Sequence, residues 1–526
     1  MNFRPVFSLE YDSVPSQGLY VLKDRTKGVG GAHFHLRKWP SGVVVRLEKS
    51  VAFPSKKERN VQKFPSEKEI ICQKFPSEKE SCYLCGEIKN ITAMDLRQIF
   101  QSLIALHHRE LPYRSFPRLV SLPIDREEII TVTGVRRCGK SSILGLAANA
   151  LLESGIHKEQ ILMVNFDDER LYSIKADQLD EVLQAYREMF PQQMLQDVYM
   201  FFDEIQLVEG WEYFVMRVYK HYCKHIFITG STSKMLSQEI NSVSRGWPME
   251  FRVQPLNFEE YMTFRGVSVD KYSEEGQTLR KSIFKEYCEL GGFPKIALIA
   301  ERSEQVGQLQ NYFNAMLFRD LIEHYDIKSS ANIVRYFLKR VMDNLTKPTS
   351  INGIYNDIKS QGYKLSKNTL YDWIEYACNV FLFYPVPRYT KSLIQETSLQ
   401  PKYYLCDHGM RNAVLLPQSE DYGKSLENIV FQWLNGSLAA DDRVFYYKGA
   451  GECDFVLQRG TEVAQLVQVC WSLSAENEAR EVNGLLEAAQ AAGCNNCMIV
   501  TFEQSKIIRK EDIEIKVVPA FQFLSN

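Results

Sequence analysis

Eight consecutive residues carry the strongest chemical signal in the 526-residue chain. Gly134-Val135-Arg136-Arg137-Cys138-Gly139-Lys140-Ser141 fits the pattern G-x-x-x-x-G-K-[ST]. Glycines at these places let the backbone curl until successive N–H groups point inward at phosphate oxygens. The lysine is spaced to reach the β- and γ-phosphates of a nucleotide, and the serine hydroxyl to touch Mg²⁺. The context agrees. IITVTG (129–134) is an apolar β-branched run that ends at the first glycine, and SSILGLAANALLESG (141–155) has helical spacing. A helix that opens at the loop adds its N-terminal dipole to the pull on an anion. Residues 134–142, Ser142 included, are therefore the expected nucleotide contacts, with ATP and Mg²⁺ as the expected cofactors.

A second element follows in VYMFFDE (198–204), where an apolar run feeds Asp203-Glu204. Asp203 is expected to hold Mg²⁺ together with Ser141, and Glu204 to polarise an attacking water. ILMVNFDD (161–168) reads as a strand between these two. HIFITGS (225–231) reads as a further one that ends in the polar residues Thr229, Ser231 and Thr232. Ser231 is expected near the γ-phosphate. This strand order resembles the additional-strand branch of P-loop ATPases, which includes the AAA superfamily. Arg245, just before the strand MEFRVQPL, stands where a γ-phosphate-sensing arginine would. Glu204, Lys140 and Arg245 are the expected catalytic set. Strands alternating with helices predict a parallel sheet covered on both faces, so the fold class is α/β.

Composition bounds the rest. At about 150 residues per domain the length predicts three to four domains. Hydrophobic residues make up 45% and charged residues 24%, which excludes a chain disordered throughout, a collagen-like chain or a fibre of repeats. Lys+Arg is 63 against Asp+Glu 65, so no global basic excess points to nucleic acid. Twelve cysteines are too few for a disulfide scaffold. The start MNFRPVFSLEYDS carries acids where a signal peptide would be apolar. A reduced, cytoplasmic protein with no membrane partner is expected.

The first 93 residues differ in texture. FPSKKE begins at Phe53 and FPSEKE at Phe64 and Phe75, an 11-residue repeat too polar to bury a continuous face. They read as a low-complexity extension outside the core fold. Residues 94–265 are expected to form the phosphate-loop domain and 266–330 a helical lid. In 331–391 three short helices precede two strands, and nine bases face four acids. Ser366 is the natural cap of the third helix, which exposes Lys367, Asn368 and Thr369 at its start. Such a helix end suits a DNA major groove, while packing or protein contact is the blander use. Cys82 with Cys85, Cys494 with Cys497, His107-His108 and His221 with His225 have near-metal spacings but no complete ligand set.

GVRRCGKSS, FFDEIQLVEGWE, FITGSTSKML, VQPLNFEEY, LGGFP, LFRDLIEHYDI, KNTLYDWIEY, PKYYLCDHGMRNA and LENIVFQWL, in that order, resemble the prokaryotic AAA-type ATP-binding proteins that carry a C-terminal restriction-endonuclease-like domain of unknown function. The resemblance covers about residues 95–526. It implies ATP binding and hydrolysis, a winged-helix module over 331–410 and a nuclease-like α/β domain over 411–526. Nuclease sites of that kind use a helix Glu, a strand Asp and Glu-x-Lys on the next strand. The matching positions are Glu427, Asp454 (with Glu452 two residues before it) and Gln468-Val-Cys470. Neutral Gln468 and soft Cys470 suit Mg²⁺ poorly, and no lysine follows, so a degenerate site without cleavage is expected. The resulting expectation is an ATPase whose nucleotide state controls a DNA- or protein-binding C-terminal half. The alternatives are an ATP-dependent nuclease of defence type and a nucleotide-regulated scaffold without turnover. Duplex DNA, a protein partner and further copies of the chain remain open as partners.

Overall fold

The computed structural model describes residues 95–231, 248–390, 392, 396, 399–415, 422–510 and 512–525, together with four strands among the first 48 residues. Arg245, Thr232, the FPS repeats and the Cys82/Cys85 pair lie outside the described residues. The chain divides into two compact units, Met1–Cys82 and Tyr83–Asn526.

The first unit carries β1 (Phe7–Ser8), β2 (Tyr20–Asp24), β3 (His33–Trp39) and β4 (Gly42–Glu48), an antiparallel sheet in sequence order. The sequence reading assigns no elements there. The β-branched run of β4 pairs antiparallel with β3, with Trp39 opposite Gly42.

The second unit opens with helix Leu96–Glu110 and then builds a five-stranded sheet from β5 (Ile129–Thr133), β6 (Ile161–Asn165), β7 (Tyr199–Asp203), β8 (Ile226–Gly230) and β9 (Pro248–Arg252). Its order is β6-β7-β8-β5-β9, and every neighbouring pair is parallel. β5 and β8 are buried along their whole length, which explains why both read as unbroken apolar or β-branched runs. Helix Lys140–Glu153 packs on the sheet through Ile143, Leu144 and Leu151. Each such side chain contributes about 2 kcal/mol on burial.

Helices Phe258–Phe264, Glu274–Leu290, Pro294–Leu298 and Arg302–Ala315 follow, and the last runs into a π-helical stretch, Met316–Glu323. Asn257 caps the first of these, with Glu260 closing a capping box. Next come Ala331–Asp343, Ile351–Ser360 and Lys367–Asn379, then the antiparallel ribbon of β10 (Phe383–Val386) and β11 (Lys402–Leu405). Ser366 Oγ accepts the Thr369 N–H at 3.1 Å, so the third helix starts where its cap predicts. Pro348 makes one isolated bridge to Lys402 beside the two-stranded ribbon. Trp373 and Ile374 are buried, whereas Tyr371 is exposed.

One apolar core runs from the phosphate-loop helix (Ile143, Leu144) through Phe293 and Leu309 to Val334, Phe337, Trp373, Tyr403 and Met410. This core spans the positions 265 and 330 where boundaries are expected. Burying these short helices requires their neighbours.

The final segment forms a six-stranded mixed sheet, ordered β12-β13-β14-β15-β17-β16. Its strands are β12 (Arg443–Lys448), β13 (Glu452–Arg459), β14 (Glu462–Val469), β15 (Cys497–Thr501), β16 (Lys506–Lys510) and β17 (Ile513–Pro519). Helix Tyr422–Gly436 packs its Leu426, Val430 and Leu434 into a core shared with Phe284 and Tyr287 of Glu274–Leu290. Helix Glu478–Ala492 contributes Val482 and Leu485 to a separate core with Val456 and Ile499.

Candidate nucleotide site and a second polar cluster

The phosphate loop leaves β5 at Gly134 and enters its helix at Lys140. Gly139 holds φ 104°, a left-handed conformation open to glycine, and a Cβ there would sit 3.0 Å from the Arg118 guanidinium. Arg118 braces the loop from outside. It donates to Cys138 O (3.0 Å), to Gln254 O (2.9 Å) and to Glu260 Oε1 (2.8 Å). Loop, β9 exit and the Asn257-capped helix are thereby tied to one buried cation.

Inside the loop, Lys140 is almost fully buried. Its ammonium donates to Gly134 O (3.2 Å) and pairs with Glu204 Oε1 (3.2 Å). Ser141 Oγ donates to Asp203 Oδ2 at 2.7 Å, and the Thr229 hydroxyl donates to Asp203 Oδ1 at 2.5 Å. The Glu204 N–H donates back to Thr229 Oγ1 (2.8 Å). Glu204 has φ 52°, a left-handed backbone rare outside glycine that turns its carboxylate toward Lys140 and away from the strand line. Side chains from the ends of the adjacent strands β7 and β8 and from one helix N-terminus thus converge.

Electrostatics differentiates the two acids. Burial, then Glu204 beside it, push the Asp203 carboxyl above its ordinary value against the pull of the Ser141 and Thr229 hydroxyls. Burial would also raise Glu204, but Lys140 and Arg136 outweigh it and hold that carboxyl below its ordinary range. Burial opposes the charge on Lys140, yet Glu204 and its other anionic neighbours keep it raised. The hard-oxygen pair Ser141 and Asp203 fits Mg²⁺ and would hold it, and the ion would supply positive charge against the phosphates. An ionised Glu204 is able to take a proton from water.

Of the nine loop residues read from sequence, Arg136 has the least anticipated partner. It forms a fork with Asp320 in the π-helical stretch, with Nη2–Oδ1 2.8 Å and Nε–Oδ1 3.0 Å. Cys138 is fully buried. Ser231 is buried at the end of β8, but the hydroxyl that meets the acids belongs to Thr229.

The second cluster lies in the C-terminal half. Lys402, wholly inaccessible on β11, points its ammonium at Glu452 Oε1 (2.8 Å), Asp454 Oδ1 (2.9 Å) and Glu427 Oε1 (3.3 Å). Tyr404 donates to Glu427 Oε1 at 2.7 Å. The structure does bring Glu427, Glu452 and Asp454 together. The lysine that meets them comes from the ribbon strand β11, while β14, where none was expected, carries none. Gln468 is turned to structural use: its Oε1 accepts the Asp454 N–H (3.1 Å) and its Nε2 donates to Glu481 (2.7 Å). Cys470 stands just beyond β14, half-buried, its thiol pushed up to about 12 by burial and by Glu481. The histidines with near-metal spacing are in structural contacts, His107 with the Tyr113 hydroxyl (2.9 Å) and His108 with Ile161 O (2.8 Å).

Residues 126–262 match the family model described as an AAA domain, and residues 281–421 match a domain of unknown function, DUF8612. The uncharacterized protein MJ1544 of Methanocaldococcus jannaschii is 30% identical over 450 residues, which span 83% of this chain and 98% of that one. The chain belongs to its family, built on an AAA domain. An uncharacterized protein of Haemophilus influenzae is 28% identical over 350 residues, 66% of this chain and 84% of the relative. Solved structures also match. C. elegans PCH-2 shares 15% identity over 41% of this chain and 62% of its own; AMPPCP-bound DnaA from Aquifex aeolicus shares 13% over 55% and 89%. At a TM-score of 0.21 neither carries weight beside the family match.

The AAA protein is thus a nucleotide-binding ATPase by family, and its phosphate loop lies within the matched AAA domain. Among its described residues no helix is long and apolar enough to cross a membrane. Sequence reasoning missed Arg118, Glu260, Asp320 and Lys402. Asp320 carried one usable signal, an acid inside the otherwise apolar MLFRDLI.

Proposed function

We propose that this AAA protein hydrolyses ATP with Mg²⁺ and uses its nucleotide state to set the arrangement of its C-terminal half. The observation that carries the hydrolytic reading is the convergence of Lys140, Ser141, Asp203, Glu204 and Thr229 at one point. Loop N–H groups and Lys140 bind the phosphates; Ser141 and Asp203 hold the metal; Glu204, freed from Lys140 as phosphate takes the ammonium, orients water and accepts its proton.

Control of the C-terminal half is supported by a continuous path of contacts. Pro294 lies 3.7 Å from the Cβ position of Gly139. The same LGGFP segment gives the Gly292 N–H to Asp407 Oδ2 at 2.6 Å. Asp407 directly follows the ribbon strand β11 and Cys406. A shift at the loop helix thereby reaches the strand that carries Lys402. The three helices and the two-stranded ribbon support a winged-helix reading. Exposed Lys359, Lys364 and Lys367 with half-exposed Tyr363 and Tyr371 around the second and third helices favour duplex DNA over a protein as partner.

The test is ATP turnover of the full chain with and without duplex DNA. Lys140→Ala should lose nucleotide affinity strongly. Glu204→Gln should keep it and lose turnover by about 10²-fold or more. Hydrolysis at the wild-type rate by Glu204→Gln would remove the proton-accepting role. Turnover indifferent to DNA would favour a protein partner.

A further inference from the structure

The Lys402 cluster is not used by the nucleotide chemistry, and its geometry is unusual for a buried ion pair. One ammonium meets three carboxylates from two elements: the helix Tyr422–Gly436 (Glu427) and two same-face positions of β13 (Glu452, Asp454). The carboxylate oxygens that converge on Nζ are Oε1, Oε1 and Oδ1. Two of those that do not are engaged elsewhere: Asp454 Oδ2 accepts the Val469 N–H at 3.0 Å, and Glu452 Oε2 pairs with Lys448 at 2.7 Å. The cage therefore has one open focus, and Nζ fills it.

We infer that Lys402 is the resident cation of this cage, occupying the place a divalent ion would take and closing the carboxylates against metal. Two arguments carry this. Divalent ions sit about 2.0–2.6 Å from carboxylate oxygens, so a metal at this focus would lie almost on top of Nζ, and the two cations exclude each other. The lysine also has nowhere else to go: its side chain is wholly buried beneath the Tyr446 ring, 5.4 Å from Nζ to centroid, and its backbone is fixed in the ribbon by Val386 and the Pro348 bridge. Lys448 pairs with Glu452 and Lys402 with Asp454, so two of the three carboxylates already have a cation beside them.

The consequence is functional. The C-terminal domain is a closed platform with no metal-dependent phosphodiester chemistry, and Lys402 fastens the ribbon of the three-helix module to the C-terminal sheet. This inference stands independently of the nucleotide reading.

Mn²⁺ titration of the nucleotide-free full chain, followed by electron paramagnetic resonance, tests it. Wild type should show no Mn²⁺ site that Asp454→Asn abolishes. Lys402→Ala should gain one such site, bound at least about tenfold more tightly than any wild-type site, and Lys402→Ala/Asp454→Asn should lose it. ATP affinity of each variant reports separately on the loop site. A wild-type Mn²⁺ site sensitive to Asp454→Asn would overturn the inference, as would a folded Lys402→Ala chain that gains none. Should the variant not fold, amine labelling of the wild type decides. Lys402 should stay unmodified with and without millimolar Mn²⁺, and labelling induced by the metal would show the ammonium displaced. Metal-dependent DNA cleavage by wild type that vanishes in Asp454→Ala would also sink the closed-platform reading.

Discussion

Arg136 and Asp320, 184 positions apart, meet as a two-pronged ion pair, with a phosphate-loop guanidinium on one side and a carboxylate in a π-helical turn on the other. Both side chains are largely buried. π-helical turns cost regular hydrogen bonding and recur at functional sites. Here the wider turn places Asp320 at the loop. Burial raises the Asp320 carboxyl, and Arg136 pulls against it without bringing it back to its ordinary value.

Removing either partner alone should therefore be costly. Asp320→Ala leaves a buried guanidinium unpaired and should destabilise the fold by about 3 kcal/mol. Arg136→Ala/Asp320→Ala should cost clearly less than the two single changes combined. Thermal melts of all four proteins, with and without ATP, measure the coupling; strict additivity would show that the pair does not connect loop and lid.

His408 predicts a pH dependence. It is fully buried, its Nε2 is 2.6 Å from Tyr287 O, and Nδ1 has no hydrogen-bond partner among the described residues. Burial lowers its pKa to about 4, against an ordinary 6.5, although the Tyr287 carbonyl pulls the other way. Between these values the unfolded chain binds the proton that the folded chain refuses. Stability from this group is full above pH 6.5 and falls as pH drops toward 4, by about 3 kcal/mol in total. His408→Gln should flatten that part of a stability-against-pH curve measured by denaturant unfolding. An unchanged slope would show that another group governs acid unfolding.

A chain starting at Met94 should fold and bind ATP like the full chain. The contact division at Cys82 leaves the phosphate loop and every residue named around it in the second unit. Equal nucleotide affinity and melting temperature would bear this out; an insoluble or non-binding product would assign the first 93 residues a structural role.

Legibility in the sequence followed distance along the chain. The phosphate loop is contiguous, and Asp203-Glu204 ends an apolar strand, so local pattern sufficed for both. Ser366 announced its helix by cap chemistry alone. Arg136 gave no hint of Asp320, because a salt bridge between distant positions leaves no periodic trace. Lys402 was harder still. The lysine was sought beside Gln468, on the strand next to Asp454, whereas the chain delivers it 52 residues earlier from a ribbon that crosses to the carboxylates. Glu427, Glu452 and Asp454 were recognisable through resemblance, but the identity of their cation depended on tertiary packing. Thr229 lies within β8 and Ser231 just past its end, and only the tertiary placement of the two acids decides between them.

Close glycine packing at the LGGFP segment has a consequence for how this protein can be divided. A Cβ on Gly291 would fall 2.1 Å from Asp407 Oδ1, one on Gly292 2.1 Å from Leu256 O, and one on Gly409 2.0 Å from Leu290 O. Three stretches of chain interlock there, backbone against backbone at Gly292 and Gly409 and backbone against the Asp407 carboxylate at Gly291, on top of an apolar core that already runs from Ile143 to Met410. Gene fission anywhere between residues 265 and 410 would yield fragments that each bare a raw face no water-exposed sequence was selected to cover. Such halves would be recovered only when co-expressed. Evolutionary reshuffling of this ATPase module would have to move it together with its helical and ribbon neighbours.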